Sequence, residues 1–463
     1  MMTLYDSFRN FFPILILIGA VAIVLRRLPK VDLGHSPAFI TRRTWNWLPL
    51  GMTYAFLYMG RYNLTVSKNA LGDLMTNTDF GTIFFWGTLT YGFSFIINGP
   101  LTDKLGGRKT IMISAIGSSL ANLAMGYIVM SGMTSNLVIV FSILYSINMY
   151  FQSFGAVSIV KVNAAWFHVR ERGTFGGIFG ILISLGVYFA YDWGNLIVKN
   201  APTYMVFMVP AAILILFAIA DYFTVFDNPS DTGHIDFNTG DASSNDTGPP
   251  LGVFEVAKKM FKSPIIMTIA AIEFCSGFLR NAIMQWYIIF SKQTGISGSF
   301  VPSNWGLLLC VAGILGGVFA GTISDRFFHS RRGPVSAVLY GIMLLGGALM
   351  IGMVSSPLLG WLVVFMSMAI IGVHGMLSGT ASMDFGGKKN VGVAVGLIDG
   401  FVYLGTAVQS IVYAKILPNG DAAKDPANWS NWPIAMIPFA AIGLFLAIRI
   451  WHAVAHPKSA PAK

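Results

Sequence analysis

The chain has 463 residues, of which 55% are hydrophobic and only 11% charged, with 50 glycines and a mean hydropathy of +0.66. So few charges exclude a water-soluble domain of this size and point to an all-α protein integral to a membrane, with glycines at close helix crossings. The formal net charge of +10 does not indicate a nucleic-acid partner, because Lys and Arg fall in short loops between apolar segments.

The first apolar segment, residues 11–25, is followed at once by Arg26, Arg27 and Lys30. It lacks a basic leader and a small-residue cleavage motif, so it reads as an extra hydrophobic helix rather than a cleaved signal, with the N-terminus outside. Twelve longer segments follow, at about 45–70, 80–101, 110–131, 136–160, 173–196, 202–226, 264–290, 304–324, 334–354, 358–382, 390–415 and 431–453. Basic residues gather in alternate loops, around 103–109, 161–172, 227–262, 325–332 and 388–389 and in the tail. By the positive-inside rule these loops, the central loop and the C-terminus are cytoplasmic. The central loop is rich in Gly, Ser, Asp and Pro and ends in VFEVAKKMFKSP, a short interfacial helix by its period. The expected organisation is therefore 1–44 (hydrophobic helix and basic linker), 45–226 (six-helix bundle), 227–263 (linker), 264–453 (six-helix bundle) and 454–463 (tail).

Two charges stand out inside the apolar runs. Arg61 lies sixteen residues into the segment that opens at Trp45, and Arg280 lies sixteen residues into the segment that opens at Pro264. At 1.5 Å per residue both leave their helices at nearly the same depth. A guanidinium in mid-membrane costs about 2.5–3.5 kcal/mol on insertion scales, so it faces protein or a watery cavity. Two forks at one depth make an anion site, each able to grip a phosphate bidentately. The bland alternative is that each pairs with a buried acid and only ties helices together.

On the first helix Tyr54, Tyr58, Thr65 and Lys68 share the face of Arg61. Tyr62 follows it, and Tyr91, Gln152, His374 and Tyr403 are further polar candidates for substrate contact. Glu273, two turns before Arg280, and Asp399, one turn before Tyr403, are the coupling candidates, able to balance the arginines or to take up a proton. Asp192, near the end of the fifth span, reads as an interface residue, and His234 in the central loop as a solvated one. Cys275 and Cys310 both lie in apolar helices, which argues against a disulfide or metal site. Nucleotide, metalloprotease and paired-cysteine motifs are lacking, so no cofactor, no metal and no enzyme activity are expected.

The halves repeat one loop. GPLTDKLGGRK follows the second span and GTISDRFFHSRRG the eighth, each setting an Asp before a basic cluster in a Gly-containing turn. Asp103, Arg108, Asp325 and Arg326 are therefore candidates for a conformational latch. This duplicated loop resembles the signature of the major facilitator superfamily. Within it, TYAFLYMGR (Tyr54, Tyr58, Arg61), TYGFSFIINGPLTD (Tyr91), the run from Phe151 to Gly173, FLRNAIMQW (Arg280) and FGGKKNVGVAVGLIDGFVYLG resemble the organophosphate:phosphate antiporter family. The resemblance covers most of residues 45–450. It implies the major facilitator fold, two pseudosymmetric six-helix bundles with twelve core helices, beside the extra N-terminal helix.

It also implies a monomeric secondary transporter of the bacterial inner membrane. Such a protein moves a phosphorylated or other small anionic metabolite by exchange with inorganic phosphate through alternating access. Two alternatives stay open: a proton-coupled symporter of a non-phosphate organic anion, and a transporter-like sugar-phosphate sensor. The chain departs from glycerol-phosphate members at Phe95, where they carry a Lys, at Ile183, where they carry a His, and at Tyr62, where a Lys follows the first Arg. Fewer cations and more aromatic surface point to a different, bulkier anion.

Overall fold

The computed structural model describes residues 33–168, 172–239, 255, 258, 261–328 and 332–452; side chains at 172–179, 318, 321–326, 332 and 379–392 are not described. Residues 11–25, expected as an extra helix, lie outside the described residues. Twelve long helices organise the rest. In the first half they are α1 (Pro37–Leu71), α2 (Asn77–Leu105), α3 (Gly107–Met130), α4 (Leu137–Trp166), α5 (Arg172–Tyr188) and α6 (Met205–Thr224). In the second half they are α7 (Pro264–Met284), α8 (Trp305–Phe328), α9 (Arg332–Met353), α10 (Leu359–His374), α11 (Ser382–Ile416) and α12 (Met436–Arg449). Among the described residues, ten helical stretches are long and apolar enough to cross a membrane; α1 is not one of them. The protein is a multi-pass integral membrane protein with the two-bundle fold expected.

Helix ends follow local chemistry, and this corrects several expected boundaries. α1 begins at Pro37 rather than Trp45, because Ser36 Oγ accepts from the Phe39 amide at 3.2 Å and Pro37 suits the first helical position. The basic pair expected as linker therefore sits on the helix. Arg42 donates to the Thr224 carbonyl at 2.7 Å, and Arg43 lies 4.4 Å over the Phe167 ring. Thr76 and Asp79 form a capping box that starts α2 at Asn77, three residues earlier than expected. The tenth and eleventh spans are joined by a π-helical turn (Gly375–Ala381) and continuous helix, where GGKK reads as a loop. His234, expected as a solvated residue, is half-buried and packs edge-on against Phe39, with ring centroids 5.6 Å apart.

The two bundles meet along α2 and α11. Gly92 and Gly400 face each other here, and a Cβ on either would come within 3.0 Å of the other's carbonyl oxygen. At the end carrying the α1–α2 loop, polar contacts stitch the bundles together. Asn77 and Gln293 exchange two amide hydrogen bonds at 2.8 Å, Asn77 also donates to the Pro418 carbonyl at 2.7 Å, and Thr78 donates to the Ala414 carbonyl at 3.0 Å.

α5 carries the most specific of these contacts. It runs through a π-helical turn (Phe189–Trp193) that brings Asp192 to the start of α8. There the two Asp192 carboxylate oxygens accept from the Gly306 and Leu307 amides, each at 2.9 Å. A carboxylate bonded to two unsatisfied amides at a helix N-terminus is favourable twice over, by hydrogen bond and by dipole. Asp192 is thus a cap across the bundle interface.

Candidate functional site

α1 carries Arg61 to the middle of the molecule, where its side chain is fully buried. Three neutral groups hold the guanidinium. Nε donates to Gln152 Oε1 on α4 at 2.8 Å, Nη1 to the Tyr403 hydroxyl on α11 at 2.9 Å, and Nη2 to the Tyr91 hydroxyl on α2 at 2.5 Å. Aromatic faces surround it, with Tyr58 and Tyr91 rings each 4.6 Å from its central carbon and Tyr62 at 5.9 Å. The backbone below is tied as firmly: the Arg61 carbonyl accepts from Tyr145, and the Gly60 carbonyl accepts from Asn122 and Asn148.

Arg280 reaches the same space from α7, nearly buried, with its guanidinium 5.5 Å from the Tyr403 ring. Both arginines line one small pocket between the bundles. Its walls are Tyr62, Phe84, Met149, Met284 and Tyr403, and its polar groups are Thr88, Asn281 and Thr406. Among the described residues no ion pair involves either arginine. The reading in which each is neutralised by a contacting acid therefore fails, and two positive forks converge where an anion could bridge the bundles.

The remaining candidates sort by position. Tyr54 lies one turn from Tyr58, hydroxyl to hydroxyl at 3.5 Å, behind the residues that line the cavity. Phe95 stacks parallel to Tyr403 at 5.6 Å and adds an aromatic wall beside Arg61. His374 does not enter the cavity lining; its Nδ1 lies 3.0 Å from Glu273 Oε2, and Glu273 is fully buried. Asp399 accepts a short hydrogen bond from Ser378 in the same part of the second bundle.

Of the latch candidates, Asp103 pairs with Lys161 of α4 at 2.8 Å. The Arg108 amide donates to Asp227 at 2.9 Å and its side chain to the Tyr222 carbonyl. These contacts stay within the first half and its following loop, rather than bridging bundles. The Asp325 and Arg326 side chains lie outside the described residues.

Sequence reasoning missed other polar contacts that frame the cavity. Thr65 of α1 bonds Gln285 just beyond α7, Asn281 bonds Gln409 of α11, and Asn63 donates to Asn122 at 2.7 Å. Each pairs ordinary polar residues far apart in the chain, and only Thr65, on the face of Arg61, carried a local signal.

Comparison with known proteins agrees with this architecture. The family model described as Major Facilitator Superfamily matches residues 50–410. The glycerol-3-phosphate transporter of Bacillus subtilis is 26% identical over 461 residues, covering 91% of this chain and 95% of that protein. The membrane sensor protein UhpC of Escherichia coli is 23% identical, covering 88% and 91%. A probable hexose phosphate transport protein of Chlamydia pneumoniae is also 23% identical, covering 86% and 89%. Among solved structures, a bacterial homologue of the human lysosomal transporter Spinster superposes with a TM-score of 0.65 at 13% identity, covering 90% of this chain and 98% of that one. The chain therefore belongs to the Major Facilitator Superfamily, a family of transporters and not of enzymes.

Proposed function

We propose that the protein is a secondary active transporter of a small phosphorylated metabolite, exchanging it for inorganic phosphate by alternating access. The observation that carries this reading is the pair Arg61 and Arg280, one from each bundle, lining one cavity with no acid paired to either among the described residues. A phosphate dianion bound by both forks would draw the bundles together. A cavity holding two guanidinium groups with no carboxylate in contact among the described residues resists reorientation without its anion, which favours exchange over net flow. Tyr58, Tyr62, Tyr91, Gln152 and Tyr403 hold and orient the forks; Thr88, Asn281 and Thr406 offer neutral partners to hydroxyls of the organic part. The names of the relatives, a glycerol-3-phosphate transporter and a probable hexose phosphate transport protein, support the substrate class.

In this reading the first bundle runs from α1, which begins at Pro37, to about residue 226, and the second is residues 264–453. The protein lies in a bacterial inner membrane, with the basic loops, the central loop and the C-terminus cytoplasmic and the α1–α2 loop outside. Proteoliposomes loaded with inorganic phosphate are expected to take up glycerol 3-phosphate or a hexose phosphate, with uptake collapsing when internal phosphate is omitted. Uptake that needs only a proton gradient would replace exchange with symport. Binding without flux would make the protein a sensor, like the one that the UhpC relative is named for.

A further inference from the structure

We infer that the buried pair Glu273–His374 is a proton-binding site filled when the phosphorylated substrate binds. The inference rests on the transport reading above and concerns where the charge of the substrate is compensated.

The geometry sets the charge count. Around the cavity stand two permanent cations, Arg61 and Arg280, and two buried acids, Glu273 and Asp399. If both carboxylates are ionised and His374 is neutral with its proton on Nδ1, facing Glu273, the substrate-free group is balanced overall, although neither arginine is ion-paired among the described residues. A phosphomonoester dianion entering between the arginines leaves two uncompensated negative charges in a region walled by Tyr, Phe and Met. Burying net charge is costly, and a proton taken from water is the mobile counter-charge available.

The second bundle offers a fitted place for it. Glu273 on α7 lies two turns before Arg280, on the same face, and bonds His374 from the last turn of α10 at 3.0 Å. The other ionisable groups near this pair are Arg280, Asp399 from α11 and Cys275 on α7 itself. Tyr340 of α9 closes it, donating its hydroxyl to the Ile272 carbonyl. Arg280 favours the ionised carboxylate while unliganded. A dianion at Arg280 removes that support and favours the proton, shared by carboxylate and imidazole: binding and protonation are linked with one sign. Asp399 is less suited, since it already accepts from the Ser378 hydroxyl and has no imidazole hydrogen-bonded to it among the described residues.

The test is proton counting on the purified full chain in weakly buffered solution near pH 8, where a phosphomonoester, with its second pKa about 6, is already a dianion. Glycerol 3-phosphate and glucose 6-phosphate are the probes. Wild type is expected to take up about one proton per ligand bound, and Glu273→Gln to bind with that uptake at least halved and with affinity less dependent on pH. Binding by wild type without proton uptake overturns the inference alone. Unchanged uptake in Glu273→Gln overturns it too, by placing the proton elsewhere. Failure to bind either probe overturns the transport reading and this inference with it. Infrared difference spectra of wild type, which need no variant to fold, are expected to gain a neutral-carboxyl or imidazolium band on ligand addition. Their silence counts against the site.

Discussion

Arg61 and Tyr403 join the two bundles through a single hydrogen bond, Nη1 to phenol at 2.9 Å, across 342 residues of chain. The same Tyr403 ring lies 5.5 Å from the Arg280 guanidinium, so one side chain mediates between both cations. Replacing Tyr403 with Phe keeps the ring and removes the acceptor, leaving a buried charged donor without one partner, at a cost of about 1–3 kcal/mol. The expected outcome is a lower Tm for the substrate-free protein and a severalfold rise in apparent KM for transport. A wild-type Tm and KM would show that the bond contributes nothing.

Lysine at either arginine tests the fork itself. Lys keeps the charge and loses the planar pair of donors. At about 1.5–3 kcal/mol per charge-assisted hydrogen bond, losing two weakens phosphate binding roughly a hundredfold or more. Arg61→Lys and Arg280→Lys are expected to abolish measurable uptake while eluting as intact, monodisperse protein. Full uptake in either would remove that residue from the substrate site.

Arg61 and Arg280 were legible in the sequence because a charge inside an apolar run is rare and because equal spacing fixes equal depth. Tyr58 and Tyr91 were legible through helical periodicity and family pattern. The cap from Asp192 to α8 was not, since it depends on a π-helical turn and on two helices from different bundles ending at one level. The join between α10 and α11 failed for another reason: Gly386, Gly387, Lys388 and Lys389 have turn composition, yet helix continues through them. His374 carried a clear polar signal but an ambiguous one, for periodicity does not say whether an imidazole meets a ligand or a buried acid such as Glu273.

Asp192 predicts how one end of the molecule is held shut. Asparagine can accept at one oxygen only, and its amide would face the second backbone donor, so Asp192→Asn loses one charge-assisted bond of about 1.5–3 kcal/mol and the dipole contribution of about 0.3–1 kcal/mol. Asn69, which reaches across to the Ile288 carbonyl at 3.4 Å, reports on that end. With Cys275 and Cys310 replaced by Ala, a cysteine introduced by Asn69→Cys is expected to react faster with a water-soluble thiol reagent when Asp192→Asn is present. Equal labelling rates would mean that the cap does not control opening.

The α2–α11 seam gives the last test. A Cβ added at Gly396 would strike the Phe95 carbonyl oxygen, a backbone atom that no rotamer change can move aside. The helices must then separate, and the wall formed by Phe95 and Tyr403 beside Arg61 separates with them. Gly396→Ala is expected to lower Tm and to cut transport by more than half. Gly341 on α9 is the control, because a Cβ there meets nothing within 4 Å. Gly341→Ala should be neutral, or stabilising by about 0.5–1 kcal/mol through helix propensity. Equal behaviour of the two variants would mean that the seam tolerates a methyl group, and that close backbone approach at Gly396 is not what sets the spacing between the bundles.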